Sequence, residues 1–152
     1  VNVTGKARTR VLSGVNAERT VAEASITRVD VPPVMLPGLR MRGIQVGGGP
    51  VAPYLAGARD GFGVNNVGQL VTIVGRVTAV LGTVIFVDDG SGVVDLAGRR
   101  GVMVRCPGSS LPVALGDLCA VTGIVEGSVP TGWTDTRRLV RMRDWSDILR
   151  LD

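Results

Sequence analysis

Leu70-Val-Thr-Ile-Val-Gly-Arg-Val-Thr-Ala-Val80 is the stretch on which the fold turns. It is rich in β-branched residues, longer than an ordinary strand, and carries Gly75 near its centre. A long strand with a mid-strand glycine can bend sharply enough to pair with two different neighbours. Downstream, Val84–Val87 reads as a second strand, closed by the turn Asp88-Asp89-Gly90-Ser91-Gly92. Gly101–Cys106 makes a third, Leu118–Val125 a fourth and Arg137–Arg143 a fifth, with a short helical turn at Trp145–Leu149. Short strands at this spacing, the first interrupted by glycine, predict an all-β, five-stranded Greek-key barrel over residues 65–152.

Upstream the character changes. Residues 31–64 carry Pro32, Pro33, Pro37, Pro50 and Pro53 around Gly47-Gly48-Gly49, too many breakers for a helix or an inner strand. This connector is apolar, with Val34, Met35, Leu36, Leu39, Ile44 and Val46, so it is expected to pack along a surface rather than hang in solvent. Residues 1–30 read as a β-hairpin. Val1, Val3 and Arg8–Val11 form its first strand, Ser13–Asn16 its turn, and Arg19–Val29 its second strand, with Val21 and Ile26 apolar.

Composition removes whole classes of chemistry. The 152 residues include no His and only 2 Cys, so no Ser-His-Asp or Cys-His nucleophile, no imidazole base and no four-thiolate cluster can be built. No enzyme and no cofactor is expected. No apolar run approaches the ~20 residues of a membrane span. The net charge of +4 is almost wholly arginine, since Lys6 is the one lysine. That is modest for a polyanion binder, and aromatics at 3% leave few platforms on which bases would stack. The first residue is Val1 with no apolar leader before it, which reads as a removed leader or a piece of a longer chain.

Leu70–Thr78, Phe86-Val-Asp-Asp-Gly-Ser-Gly92, Gly101-Val-Met-Val104 and Gly116-Asp-Leu-Cys-Ala-Val-Thr-Gly123 together resemble an OB-fold domain. The set is similar to OB modules that occur in tandem in large secreted bacterial proteins. The resemblance implies the barrel far more specifically than any function. One departure stands out. Pro107–Leu115 is too short and proline-bearing for the helix that many OB-folds place between strands three and four, so something else must plug the barrel there. The connector is the candidate.

Part of the sequence repeats. Val3-Thr4-Gly5 matches Val121-Thr122-Gly123 at an offset of 121 − 3 = 118, and the same offset carries Arg19 to Arg137 and Val21 to Leu139. The hairpin then corresponds to the last two strands of a barrel whose first three are missing from its own side. A lone hairpin is marginal in water and its edges invite pairing. The chain is accordingly an excerpt of a tandem array, or it donates the hairpin to another copy; the bland alternative folds the hairpin back on its own barrel.

Several residue sets carry candidate chemistry. Cys106 ends the third strand and Cys119 lies in the fourth, across a proline-bearing loop. A bridge closing it would add about 3 kcal/mol through loop entropy. With the resemblance to secreted modules, the disulfide and an oxidising, extracellular setting are the expectation, against two buried thiols. Asp88, Asp89 and Asp95 read as turn residues rather than a calcium site, because the spacing is not that of an EF-hand. Arg76, Arg105, Arg137, Arg138, Arg141 and Arg143 either line a phosphate-binding face or pair with Asp135, Asp144 and Asp147 on a solvated one.

The functional expectation is a non-enzymatic subunit of an extracellular filament or surface array, polymerising with copies of itself by strand complementation. Val1, Val3, Val11, Val21, Ile26, Val34, Leu36 and Leu39 would carry the assembly contact. The alternatives are an OB module that binds nucleic acid or oligosaccharide through Arg76, Arg105, Arg137, Arg138 and Arg141, and a spacer of a larger secreted protein.

Overall fold

A computed structural model describes residues 1–13, 16–29, 36–51, 57–127 and 138–152. Its strands are β1 (Asn2–Ser13), β2 (Asn16–Thr27), β3 (Leu39–Arg40), β4 (Leu70–Leu81), β5 (Val84–Asp88), β6 (Val102–Arg105), β7 (Leu118–Glu126), β8 (Leu139–Arg141) and β9 (Ile148–Arg150). Two single 3-10 turns, Gly43–Gln45 and Trp145–Asp147, are the helical elements among the described residues.

The protein is all-β, built on a closed five-stranded barrel. The order is β4-β5-β6-β8-β7, and β7 returns to pair with β4. Only β6 and β8 run parallel within the ring. This is the OB-like arrangement, with the first strand closing on the fourth. β4 does what its glycine predicts: Leu70–Arg76 pairs with β7, and Arg76–Leu81 pairs with β5. At the pivot, a Cβ on Gly75 would run into the Asp88 carbonyl, so only glycine permits the close crossing.

Alternation then fills the barrel. Val71, Ile73 and Val77 from β4, Ile85 and Val87 from β5, Val102 and Val104 from β6, Cys119, Val121 and Val125 from β7, and Val140 from β8 form one buried core. The two ends are closed differently. At the end where β4 begins and β5 finishes, the connector crosses: Gly43 N–H donates to Asp89 Oδ2 at 2.7 Å and Ile44 N–H to Ser91 Oγ at 3.1 Å. This seats Val46, fully buried, in the core. At the other end the β6–β7 loop turns back over itself, adding Val113 and, partly buried, Leu111. The connector therefore plugs the barrel at the end opposite to the one left by the missing helix. The short loop closes its own end because two aliphatic side chains suffice there.

Two small strands went unforeseen. β3, inside the connector, pairs parallel with β4 through Leu39–Val71 and Arg40–Thr72. The expected helical turn over Trp145–Leu149 is a 3-10 turn only to Asp147, after which β9 pairs with the first half of β7. The Asp144 carboxylate caps that turn by accepting from Ser146 N–H at 2.8 Å. Trp133, Arg137, Val34 and the central residues of the β1–β2 turn lie outside the described residues.

Candidate assembly surfaces

β1 and β2 form a sheet of their own, separate from the barrel sheet. Val3 pairs with Ile26 and Ala7 with Val21, and cross-strand partners point to the same side. Val1, Val3, Ala7, Val21 and Ile26 thus share one face, while Asn2, Thr4, Lys6, Arg8, Thr20, Ser25 and Thr27 share the other. A bulge sets Glu23 and Ala24 against the single Gly5, with Glu23 at φ +53°. It aims the Glu23 carboxylate at Lys6 Nζ (2.6 Å) and the Arg8 guanidinium (2.8 Å). The apolar face is uncovered: Val1 is 77% exposed, Val3 49%, Val21 53% and Ile26 68%. Val11 lies in β1, but its side chain is outside the description.

Each glycine of the sequence repeat lies against a valine and a carbonyl, but Val140 takes the place of Val21 at an offset of 140 − 21 = 119, not Leu139 at 118, and Gly123 also pairs with Val71 of β4. A Cβ on Gly5 would meet Val21 Cγ1 and the Ala22 carbonyl; one on Gly123 would meet Val140 Cγ1 and the Arg141 carbonyl. Gly5 sits in β1 against β2 as Gly123 sits in β7 against β8. Closure of the barrel by β4 and β7 leaves no gap in its wall for a further strand.

The barrel's outer surface is not uniform. Phe86, Met103 and Leu139 form an outward row across β5, β6 and β8, yet Phe86 is 1% and Leu139 0% exposed. The Arg99 guanidinium lies 5.5 Å from the Phe86 ring centre. The outer face of β4, β7 and β9 has no such cover. Its rows are Leu70–Ile124, Thr72–Thr122, Val74–Ala120–Leu149 and Arg76–Leu118. Val74 is 45% and Leu149 62% exposed. Along the β4–β7 ladder no charge interrupts this face between Arg76 and Glu126, and the hydroxyls of Thr72 and Thr122 satisfy each other at 2.8 Å. The sequence held a signal for it: Leu118–Val125 is apolar or small on both alternating faces, the pattern of a strand covered on both sides.

Leu36 and Leu39 are also exposed, at 70% and 58%. They lie on the connector, with Leu39 beside Val71 of β4, apart from the hairpin's own face. Leu39 joins Met41, Phe62 and Val64 around a shallow groove of about 330 Å³.

The arginines proposed for nucleic acid do not converge on one open face. Arg76 donates to the Gly116 carbonyl and reaches Asp152. Arg105 and Arg141 both pair with Glu126, at 3.2 and 2.9 Å. Arg138 donates to the carbonyls of Ile44 and Asp60, tying the connector to β8; burial pulls its pKa down, with Asp60 opposing. Arg143 is held by Asp147 at 2.6 Å. Among the described residues the structure gathers Arg105, Arg141 and Arg143, which line a groove of about 310 Å³ with Cys106 and Ile124.

The acidic turn is structural. Asp88 accepts from Gly90 N–H, Asp89 from Ser91 and Gly43, and Asp95 from Ala97 and Arg99. Burial would raise the Asp89 carboxyl, but the bonds from Ser91 and Gly43 outweigh it and hold the pKa below its usual value.

The expected disulfide is not formed: Cys106 and Cys119 are both free, buried thiols. The backbone anchors them at different places along the barrel. Cys106 N–H donates to the Thr83 carbonyl at the tip of the β4–β5 hairpin, whereas Cys119 pairs with Gly75 in mid-β4 and its thiol contacts the Gly75 carbonyl at 3.7 Å. Burial pushes both thiols up to about 11, with Asp117, Asp152 and Cys106 adding to the effect at Cys119. Comparison with protein families, curated proteins and solved structures finds no match for this chain.

Proposed function

We propose that the chain is a structural subunit of an extracellular filament or surface array, assembled head to tail by donation of the β1–β2 hairpin to a neighbouring copy. One observation carries the reading: two strands of 12 residues each pair only with each other among the described residues, and leave an apolar face in water. A two-stranded sheet of that kind is marginal alone and gains most by binding elsewhere. A contact between two different surfaces that does not close on itself propagates into a fibre. The extracellular setting rests on the resemblance to secreted OB modules, since free thiols give it no support. A nucleic-acid role would call for a patch of open guanidinium groups, and Arg76, Arg105, Arg138 and Arg141 are each engaged within the chain.

Sedimentation and electron microscopy of the purified chain test this. The expected result is polymers for residues 1–152 and single barrels for residues 31–152. A full chain that sediments as 15.8 kDa at every concentration overturns the reading.

A further inference from the structure

We propose that the outer face of β4, β7 and β9 is the acceptor for the apolar face of β1–β2 from a second copy of this chain. The inference rests on the assembly reading above and names the surface that receives the donated hairpin. The two faces match in pattern. On the donor, the apolar pairs Val3–Ile26 and Ala7–Val21 stand four residues apart along β1, with Gly5, bare of side chain, between them. On the acceptor, Leu70–Ile124 and Val74–Ala120 stand four residues apart along β4, with the mutually bonded Thr72–Thr122 pair between them. Laying one on the other sets aliphatic rows against aliphatic rows. The glycine leaves room for the threonines, whose hydroxyls need no water. Sheets stack face to face at ~10 Å in this manner.

Among the described residues nothing covers the donor face, and the acceptor face is open at Val74 and Leu149 with its other rows half-buried. The opposite outer row of the barrel, Phe86 to Leu139, is buried by the chain itself, whereas Val74 and Leu149 remain 45% and 62% exposed. Lys6, Arg8 and Glu23 pair among themselves and stay in solvent on the far side of the ribbon. The exposed aliphatic groups, Val3, Val21 and Ile26 on the donor and Val74 and Leu149 on the acceptor, lie in water until another surface covers them. Donor and acceptor are different surfaces on one chain, so each copy offers both and the assembly stays open-ended.

Two full-length variants test the assignment. Val3→Glu with Ile26→Glu disables the donor; Val74→Glu with Leu149→Glu disables the acceptor. Each is expected to sediment as a single chain, and an equimolar mixture to form a 1:1 dimer and nothing longer. An acceptor variant that polymerises like the parent, while the donor variant does not, overturns the acceptor face and leaves hairpin-driven assembly standing. A mixture that stays monomeric overturns it too, since an intact hairpin and an intact acceptor face would then be present together without binding. A parent chain that never polymerises removes the assembly reading itself, and this inference with it. Against loss of folding in the glutamate variants, a Val74→Cys chain is mixed under mild oxidation with an Ile26→Cys or a Val21→Cys chain, which covers both directions in which the rows can be laid. The native thiols are buried, so a disulfide-linked heterodimer supports the contact, and its absence overturns it.

Discussion

Replacing Asn66 by alanine removes the joint between the connector and the barrel. Asn66 is only 7% exposed. Its Oδ1 accepts from Gly47 N–H at 2.8 Å, and its Nδ2 donates to the carbonyls of Gln45 at 2.7 Å and Val64 at 3.3 Å. These bonds hold the turn that delivers Val46 into the core. Truncation strands a buried N–H, at roughly 1–3 kcal/mol, and forfeits two partly solvated bonds at roughly 0.5–1.5 kcal/mol each. The sum is about 4 kcal/mol, or on the order of 8–16 °C in Tm for a chain of this size. Urea unfolding followed by tryptophan fluorescence reads it, with an unchanged slope showing that the same surface unfolds. Amide exchange at Gly47 should accelerate in the same variant. A loss below about 1 kcal/mol, with Gly47 still protected, would refute the claim that this side chain closes the barrel end.

Asp147 predicts a pH dependence. Burial raises its carboxyl, but the Arg143 side chain and N–H, at 2.6 to 3.0 Å, hold its pKa below the usual carboxylate value. The stability it contributes is present above the unfolded pKa near 3.9 and is lost as pH falls through the lowered folded value. Asp147→Asn should therefore flatten the acid limb of a stability–pH curve, and an unchanged limb would contradict the pairing. The thiols, raised to about 11, should resist Ellman's reagent at pH 8 until the chain unfolds, and stability should fall from about pH 9 upward as unfolded thiols ionise. Rapid labelling of the folded protein would contradict their burial. Gly75→Val should cost about 3 kcal/mol or prevent folding, because its side chain drives β4 and β5 apart at the Asp88 carbonyl. A stable variant with unaltered melting would show that the pivot tolerates a side chain.

The barrel was legible because its strands obey a local rule. Alternation in Leu70–Leu81 and Leu118–Glu126 gave inside and outside, and Gly75 gave the change of partner. β3 and β9 escaped notice because strands of 2 and 3 residues carry no period and exist only where a longer neighbour offers an edge. The disulfide expectation failed because sequence separation says nothing of where a barrel sets two strands along its axis. The apolar outer face of β4 and β7 is harder to read because alternation marks the inner side first, whereas Leu118, Ala120 and Ile124 make the outer side apolar too. The hairpin's amphipathic character depends on the bulge opposite Gly5, which keeps Val3 and Ala7 on one face with Ile26 and Val21. Its residues announce a hairpin; only the register reveals the faces.

The parallel pairing of β6 with β8 sets an order of events at the ribosome. β4, β5 and β6 follow one another closely and can form a meander as they emerge, but both flanks of that meander stay raw until the final strands arrive. β8 must slot between β6 and β7, two strands already synthesised, so ring closure waits for the C-terminal part of the chain and relies on distant contacts. Each nascent molecule therefore passes through an interval with unpaired flanks beside a hairpin made long before. Crowded translation of such a chain favours premature coupling between siblings, and a cell that produces it gains by keeping successive copies apart until each ring has shut.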